Sequence, residues 1–229
     1  MSGADTPVSA QRSPAGATSP AGLRRFLEPK AAPVPGERCE MCAEPLGEHH
    51  SHIADLDKRS VMCACRGCYL LFTSEGAAGG RYRAVPERCR YDLAFPISQA
   101  QWEELQIPVG IAFFFHNSKQ GRMVTCYPSP AGATESLLPL AAAEGLRTAN
   151  PAFADLAADV EALLLRRHDD GFHCFLVPID LCYELVGLIR LHWKGFDGGQ
   201  EVWNAIDAFF ARLRDRGRNV GADRHTDSG

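Results

Sequence analysis

Apolar positions along the chain fall into two regions of different character. Residues 37–73 carry short apolar stretches at 52–56 and 60–64 around Asp57-Lys58-Arg59-Ser60, a pattern that predicts a β-hairpin. Residues 81–214 carry the core. Arg81 to Val85 and Tyr91 to Phe95 read as short strands. Ile107 to Phe115 (IPVGIAFFF) is rich in β-branched and aromatic residues and short for a helix, so it reads as a buried strand. Asn117 to Gly121 supplies turn residues, and Arg122 to Tyr127 returns as a second strand ended by Pro128 and Pro130.

Further along, Ala152 to Leu165 starts with helical composition. Val160 to Arg167 pairs better with Phe172 to Pro178 as a hairpin, because Asp169-Asp170-Gly171 has the chemistry of a tight turn. Asp180 stands where a helix N-cap belongs. Leu181, Leu185, Leu188, Ile189 and Trp193 then recur at three- and four-residue spacing, which aligns them on one face. Gly195 to Gly199 breaks the chain. Val202, Ile206, Phe209, Phe210 and Leu213 form a second amphipathic helix, whose basic end suits the helix dipole. This succession predicts an antiparallel sheet with helices packed on one face.

The flanks differ. Residues 1–20 are rich in Pro, Ala, Gly and Ser, and residues 1–36 predict a disordered N-terminal tail, with at most one helical turn at Leu23 to Leu27 before Pro29, Pro33 and Pro35. Residues 215–229 predict a disordered polar C-terminal tail. Between them lie a cysteine-rich module at 37–80 and an α+β domain at 81–214. The tract Pro-Ala-Gly-Ala-Thr at 14–18 and 130–134 is too common in composition to mark a repeat.

A net charge of −4 gives no broad basic surface, which argues against nucleic acid as a partner. No apolar run is long enough to span a membrane, and the N-terminus lacks the apolar core of a secretory signal. The expectation is a cytoplasmic protein. There, nine cysteines serve as metal ligands or buried thiols rather than disulfides.

The cysteines carry the clearest chemistry. Cys39-Glu40-Met41-Cys42 and Cys65-Arg66-Gly67-Cys68 are separated by residues 43–64. Two thiols two residues apart can grip one ion in a tight turn. Two such turns joined by a hairpin complete a tetrahedral four-sulfur site for Zn²⁺ or a single Fe ion. A module of about 35 residues cannot build enough core alone, and a structural metal supplies what burial does not. Gly67 would ease the second turn. Cys63, His49 and His52 are alternate ligands, with the histidines read first as solvated hairpin residues along with His50. Rubredoxin-like knuckles usually carry Gly after the second cysteine, whereas Ala43 and Tyr69 stand here, so zinc leads over iron. The predicted fold class is therefore α+β, a small zinc-ribbon-like module followed by an antiparallel sheet with helices.

Other constellations are weaker. Tyr127 to Ser136 (YPSPAGATES) reads as a strand-to-helix connector capped by Thr134 or Ser136, with an anion cradle as the sharper alternative. Cys126, Cys174 and Cys182 stand in apolar surroundings where thiols are usually inert. His116, His173 and His192 are scattered, while Asp155, Asp159 and Glu161 read as solvated or capping charges. No catalytic residue is assigned.

Taken in order, CxxC, CACRGC, YPSPAGATES, DVEALL, PIDLCYELVGLIR and the tail W-x-G-F-x-G-G-x-x-V-W resemble an uncharacterised bacterial family over about residues 37–214. The resemblance implies a process, since genes of that family are associated with clusters for high-affinity nickel-iron uptake hydrogenases; it implies no reaction. Three functions follow as expectations. The first is a non-catalytic, zinc-bearing accessory protein that binds a protein partner, a hydrogenase or its maturation machinery. The second is a rubredoxin-like Fe(Cys)₄ electron carrier. The third is an enzyme of unknown reaction in the α+β domain.

Overall fold

The computed structural model describes residues 37–74, 76–136, 146, 150–195 and 198–221. The expected tail at 1–36 and the end of the other at 222–229 lie outside the described residues. The chain is α+β. Residues from Gly36 onward form one compact unit, built on two sheets.

The smaller sheet has the order β2-β1-β3, with β1 at Ser51–Asp55, β2 at Ser60–Ala64 and β3 at Tyr82–Ala84, all antiparallel. The expected hairpin is present, reversing through residues 56–59. β3 pairs with β1, so a boundary after residue 80 would cut through this sheet. Backbone pairing thus places in the smaller sheet a strand that composition alone assigned to the larger domain.

The larger sheet has the order β10-β4-β9-β8-β5-β6-β7. Its strands are β4 (Arg90–Asp92), β5 (Ile111–Asn117), β6 (Arg122–Ser129), β7 (Gly132–Ser136), β8 (Glu161–His168), β9 (Gly171–Pro178) and β10 (Arg218–Asn219). Every pairing is antiparallel except β10 with β4, which is parallel. The β8–β9 hairpin turns at Asp169-Asp170, as the turn residues predict.

Two long helices, α3 (Ile179–His192) and α4 (Gly199–Arg216), lie over one face. They bury Leu185, Ile189, Ile206 and Phe209 against Phe113, Leu164 and Phe175. The opposite face is covered too. There Trp102 of the short helix α2 (Gln99–Glu104), with Phe95, Leu105 and Phe153, packs on Phe114, Leu163, Leu165 and Leu176. Burial on both faces explains the unbroken apolar runs of β5, β8 and β9, since alternation marks only strands with one wet face. The helix α1 (Arg66–Leu70) belongs to the cysteine module.

Four local expectations are corrected. Residues 127–136, read as a connector, form the β6–β7 hairpin, and the helix expected after them falls on 137–145, outside the described residues. β6 runs through Pro128, where it pairs with Ala133 of β7 and is past its pairing with β5, so no ladder needs the missing amide. Asp180 is not an N-cap: α3 follows directly from β9 with Pro178 at the cap, and the Asp180 carboxylate accepts from His52 Nδ1 at 2.8 Å. Residues 215–221 are not frayed. α4 continues to Arg216, β10 pairs through its backbone, and Val220 is buried. Gly217 makes this turn possible, since a Cβ there would lie 2.8 Å from the Leu213 carbonyl oxygen.

The acidic residues read as solvated are structural. Glu161 is buried, both its oxygens accept from Arg88, and one also accepts from the Ala157 amide at 2.8 Å. Asp155 bridges Arg88 and Arg90. Asp159 accepts from the Ser118 amide at 2.8 Å. In the small sheet, buried Asp55 accepts from Arg81 at 2.7 Å and from the amides of Asp57 and Lys58. The Arg81 guanidinium, aided by those amides and opposed by burial, holds the Asp55 carboxyl below its ordinary value of 3.8, at about 2. Among the described residues, no helix is long and apolar enough to cross a membrane.

Two outcomes are expected. Arg88→Met leaves Glu161 buried without its cation and lowers unfolding free energy by about 3 kcal/mol in urea titrations; Asp155→Asn, half exposed, costs under about 1 kcal/mol. Because the folded value for Asp55 is depressed, its contribution is present above pH 3.8 and is lost as pH falls towards 2. Acid-unfolding curves of Asp55→Asn should therefore be flatter than wild type across that interval.

Candidate metal centre

Both cysteine pairs are delivered by local backbone structure. Around the first, the Cys39 amide donates to the Glu44 carbonyl and the Ala43 amide to the Cys39 carbonyl, each at 2.8 Å. The turn closes with Ala43 at φ 63, the left-handed region that glycine would occupy at least cost. A knuckle thus forms without the glycine that its sequence lacks. The second pair is built differently. Cys65 is the N-cap of α1, and its sulfur accepts from the Cys68 amide at 3.5 Å. Gly67 has no positive φ and an added Cβ would meet only the Cys65 sulfur at 3.9 Å, so its expected role in a second knuckle is withdrawn. A helical turn suits any residue there.

The hairpin β1–β2 carries the chain from the knuckle to the helix and brings the pairs together. The sulfurs of Cys39, Cys42, Cys65 and Cys68 all lie within 4.8 Å of one another. Cys42 Sγ and Cys65 Sγ are 3.6 Å apart. A tetrahedron with metal–sulfur bonds of about 2.3 Å has edges of about 3.8 Å, whereas a disulfide would close to about 2.05 Å. All nine cysteines are free thiols. The quartet has the size of a four-sulfur metal site and could bind a metal ion.

Burial and charge support the same reading. Cys39 is 2% exposed and packs with buried Ile53, Ala64 and Phe72. Burial works against ionising the Cys39 thiol, but amides of Cys65, Cys42 and Met41 outweigh it and bring the thiol down to about 6. Burial pushes Cys68 up to about 12, with the neighbouring Cys42, Cys39 and Cys65 adding to the rise. The Cys39 thiolate therefore forms readily while Cys68 resists. Only a cation makes four thiolates compatible at this distance.

The alternate ligands fall elsewhere. Cys63 lies directly across the ladder from His52. Alternation along β2 turns it to the face opposite Met62 and Ala64, away from the core that holds Cys39. Cys63 and His52 gather instead with His50. His49 is exposed and belongs to neither group. His50 and His52 are half-buried and hydrogen-bonded, not solvated as the hairpin reading had them. A further group, His168, Asp170 and His173, sits at the β8–β9 turn, with both rings on one Asp170 oxygen. The i, i+2 spacing of His50 and His52 was visible in the sequence; the register that sets Cys63 opposite was not.

Residues 38–217 match a family of unknown function, DUF5947. The chain belongs to this family. The matched segment takes in the four cysteines, both long helices and every strand but β10. No curated protein and no solved structure matches the chain.

Cys42→Ser, at the most exposed ligand, is expected to remove one equivalent of bound metal per chain by elemental analysis. It should also speed amide exchange across residues 37–72 while leaving β8 and β9 protected.

Proposed function

We propose that this protein is a non-catalytic metal-binding accessory protein. Zn²⁺ held by Cys39, Cys42, Cys65 and Cys68 would fix the shape of a recognition module for a protein partner. The convergence of the four thiols carries this reading. A closed set of four sulfurs leaves no coordination position for water or substrate, which makes the ion structural. Exposed apolar side chains adjoin the ligands: Met41 precedes Cys42, and Leu70 and Leu71, 52% and 67% exposed, follow Cys68. Such residues on a rigid small module suit a protein contact. Cys126, Cys174 and Cys182 are buried and their thiols are pushed up, which makes them poor nucleophiles. The resemblance to a family encoded near nickel-iron uptake hydrogenases supplies the process, with a hydrogenase or its maturation machinery as the partner.

One observation favours the alternative of an Fe(Cys)₄ electron carrier. Ala43 adopts the left-handed conformation that the glycine of a rubredoxin-like knuckle would provide. Against it, the second pair sits at a helix start and not in a second knuckle.

Freshly purified protein is expected to be colourless, with zinc and no iron. A red sample with thiolate-to-iron charge-transfer absorption would replace zinc by iron and accessory by carrier. Deleting the gene in a host with a nickel-iron uptake hydrogenase is expected to lower hydrogenase activity, and full activity would remove the assigned process.

A further inference from the structure

We propose that His50, His52 and Cys63 form a second metal site, separate from the four-sulfur centre and open on one side, that takes an exchangeable divalent ion of the late first-row transition series.

Strand geometry assembles it. His50 and His52 are two residues apart where the chain enters β1, so their side chains leave on the same face. His52 and Cys63 are direct partners in the β1–β2 register, which places them side by side. A ring nitrogen of each histidine and the Cys63 sulfur all lie within 4.8 Å of one another. Metal–nitrogen bonds of about 2.0 Å and a metal–sulfur bond of about 2.3 Å need only a modest contraction of that triangle.

Both rings are already oriented as ligands. His50 Nδ1 donates to the Gly47 carbonyl at 3.0 Å. His52 Nδ1 donates to the Asp180 carboxylate at 2.8 Å. With Nδ1 engaged on both, Nε2 is the nitrogen left to bind an ion, and its partner on the far side of the ring raises its basicity. The His50 side chain is only 9% exposed, and its Nε2 has no hydrogen-bond partner. A buried polar atom without a partner calls for an explanation, and an ion bound there provides one. Two imidazoles and a thiolate are a borderline-soft donor set that suits Zn²⁺ or Co²⁺ and disfavours Mg²⁺ or Ca²⁺.

The coordination number separates this site from its neighbour. Three protein ligands leave one position of a tetrahedron free. A cleft of about 410 Å³ runs past His50, His52 and Asp180, with Glu48, Glu87 and Arg216 also on its walls. Solvent or a competing ligand can therefore reach the ion, whereas the four-sulfur site is complete without either. The site also joins two parts of the fold. His52 and Cys63 belong to the small sheet, and Asp180 to the first turn of α3. Glu40, inside the first knuckle, accepts from the Cys63 amide at 2.8 Å and donates its own amide to the Cys63 carbonyl at 2.9 Å.

The test uses the full chain, saturated with Zn²⁺ and dialysed against micromolar free Zn²⁺, with bound metal counted by elemental analysis. Wild type is expected to hold two equivalents, and Cys63→Ser and His50→Gln one each. His49→Gln, outside the site, should keep both. Asp180→Asn should weaken the second equivalent about tenfold. With Co²⁺ as probe, the second equivalent should add thiolate-to-cobalt absorption that Cys63→Ser loses. A fold control is built in, because a variant that keeps the first equivalent and the wild-type far-UV dichroism has kept the module. Two equivalents retained in both Cys63→Ser and His50→Gln would overturn the proposal. So would a single equivalent in wild type that Cys42→Ser removes, a result that leaves the four-sulfur reading standing.

Discussion

Four thiolates cannot share a space a few ångströms across unless a cation sits among them. That constraint bears on the cysteine module at the N-terminal end of the described fold. The small sheet buries Ile53, Ala64 and Phe72 around Cys39, too little apolar surface to hold such a module on its own. Its other face is borrowed: Ala54 joins the core under the long helices, and Val61 packs against it. With a metal at the sulfurs the module would be held from two sides, by that ion on one and by shared burial on the other. Polar ties reinforce the second side, with Arg83 donating to the Ala158 carbonyl at 2.9 Å and Lys119 paired to Asp57 at 3.1 Å.

The larger sheet follows a different logic. Its central strands are dry on both faces, so they need no alternation and no polar residues to face water. Charge enters that interior only where geometry satisfies it, as at Glu161, whose carboxylate is matched by Arg88 and an amide. Such a pair is costly to break and gives the segment before β8 a fixed path. The same economy appears at Asp55, where a buried carboxylate gathers Arg81 and two amides to close the turn after β1.

Much of this was legible in the sequence. The paired cysteines, the hairpin between them, the Asp169-Asp170 turn and the two amphipathic helices each carry a local signal strong enough to survive folding. What escaped was non-local. Nothing in Tyr82–Ala84 says which sheet it will join, and nothing in Arg218–Asn219 advertises a strand, because backbone pairing is blind to side-chain type. Pro128 misled because a proline ends a strand only where a neighbour needs its amide. Asp180 misled in the other direction: a residue well placed to cap a helix was drawn to a histidine far along the chain. The second donor group was hidden for the same reason, since Cys63 meets His52 only through the hairpin register.

The position of β4 has a consequence for how the molecule comes into being. It lies between β9 and β10, so on the ribosome neither of its neighbours exists until residues 171–178 and then 218–219 have been synthesised. The pairings of the cysteine module all fall within residues 38–84 and have no such delay. Local contacts close faster than distant ones. A metal bound at the four sulfurs would therefore be captured before the sheet is complete, ahead of a finished core.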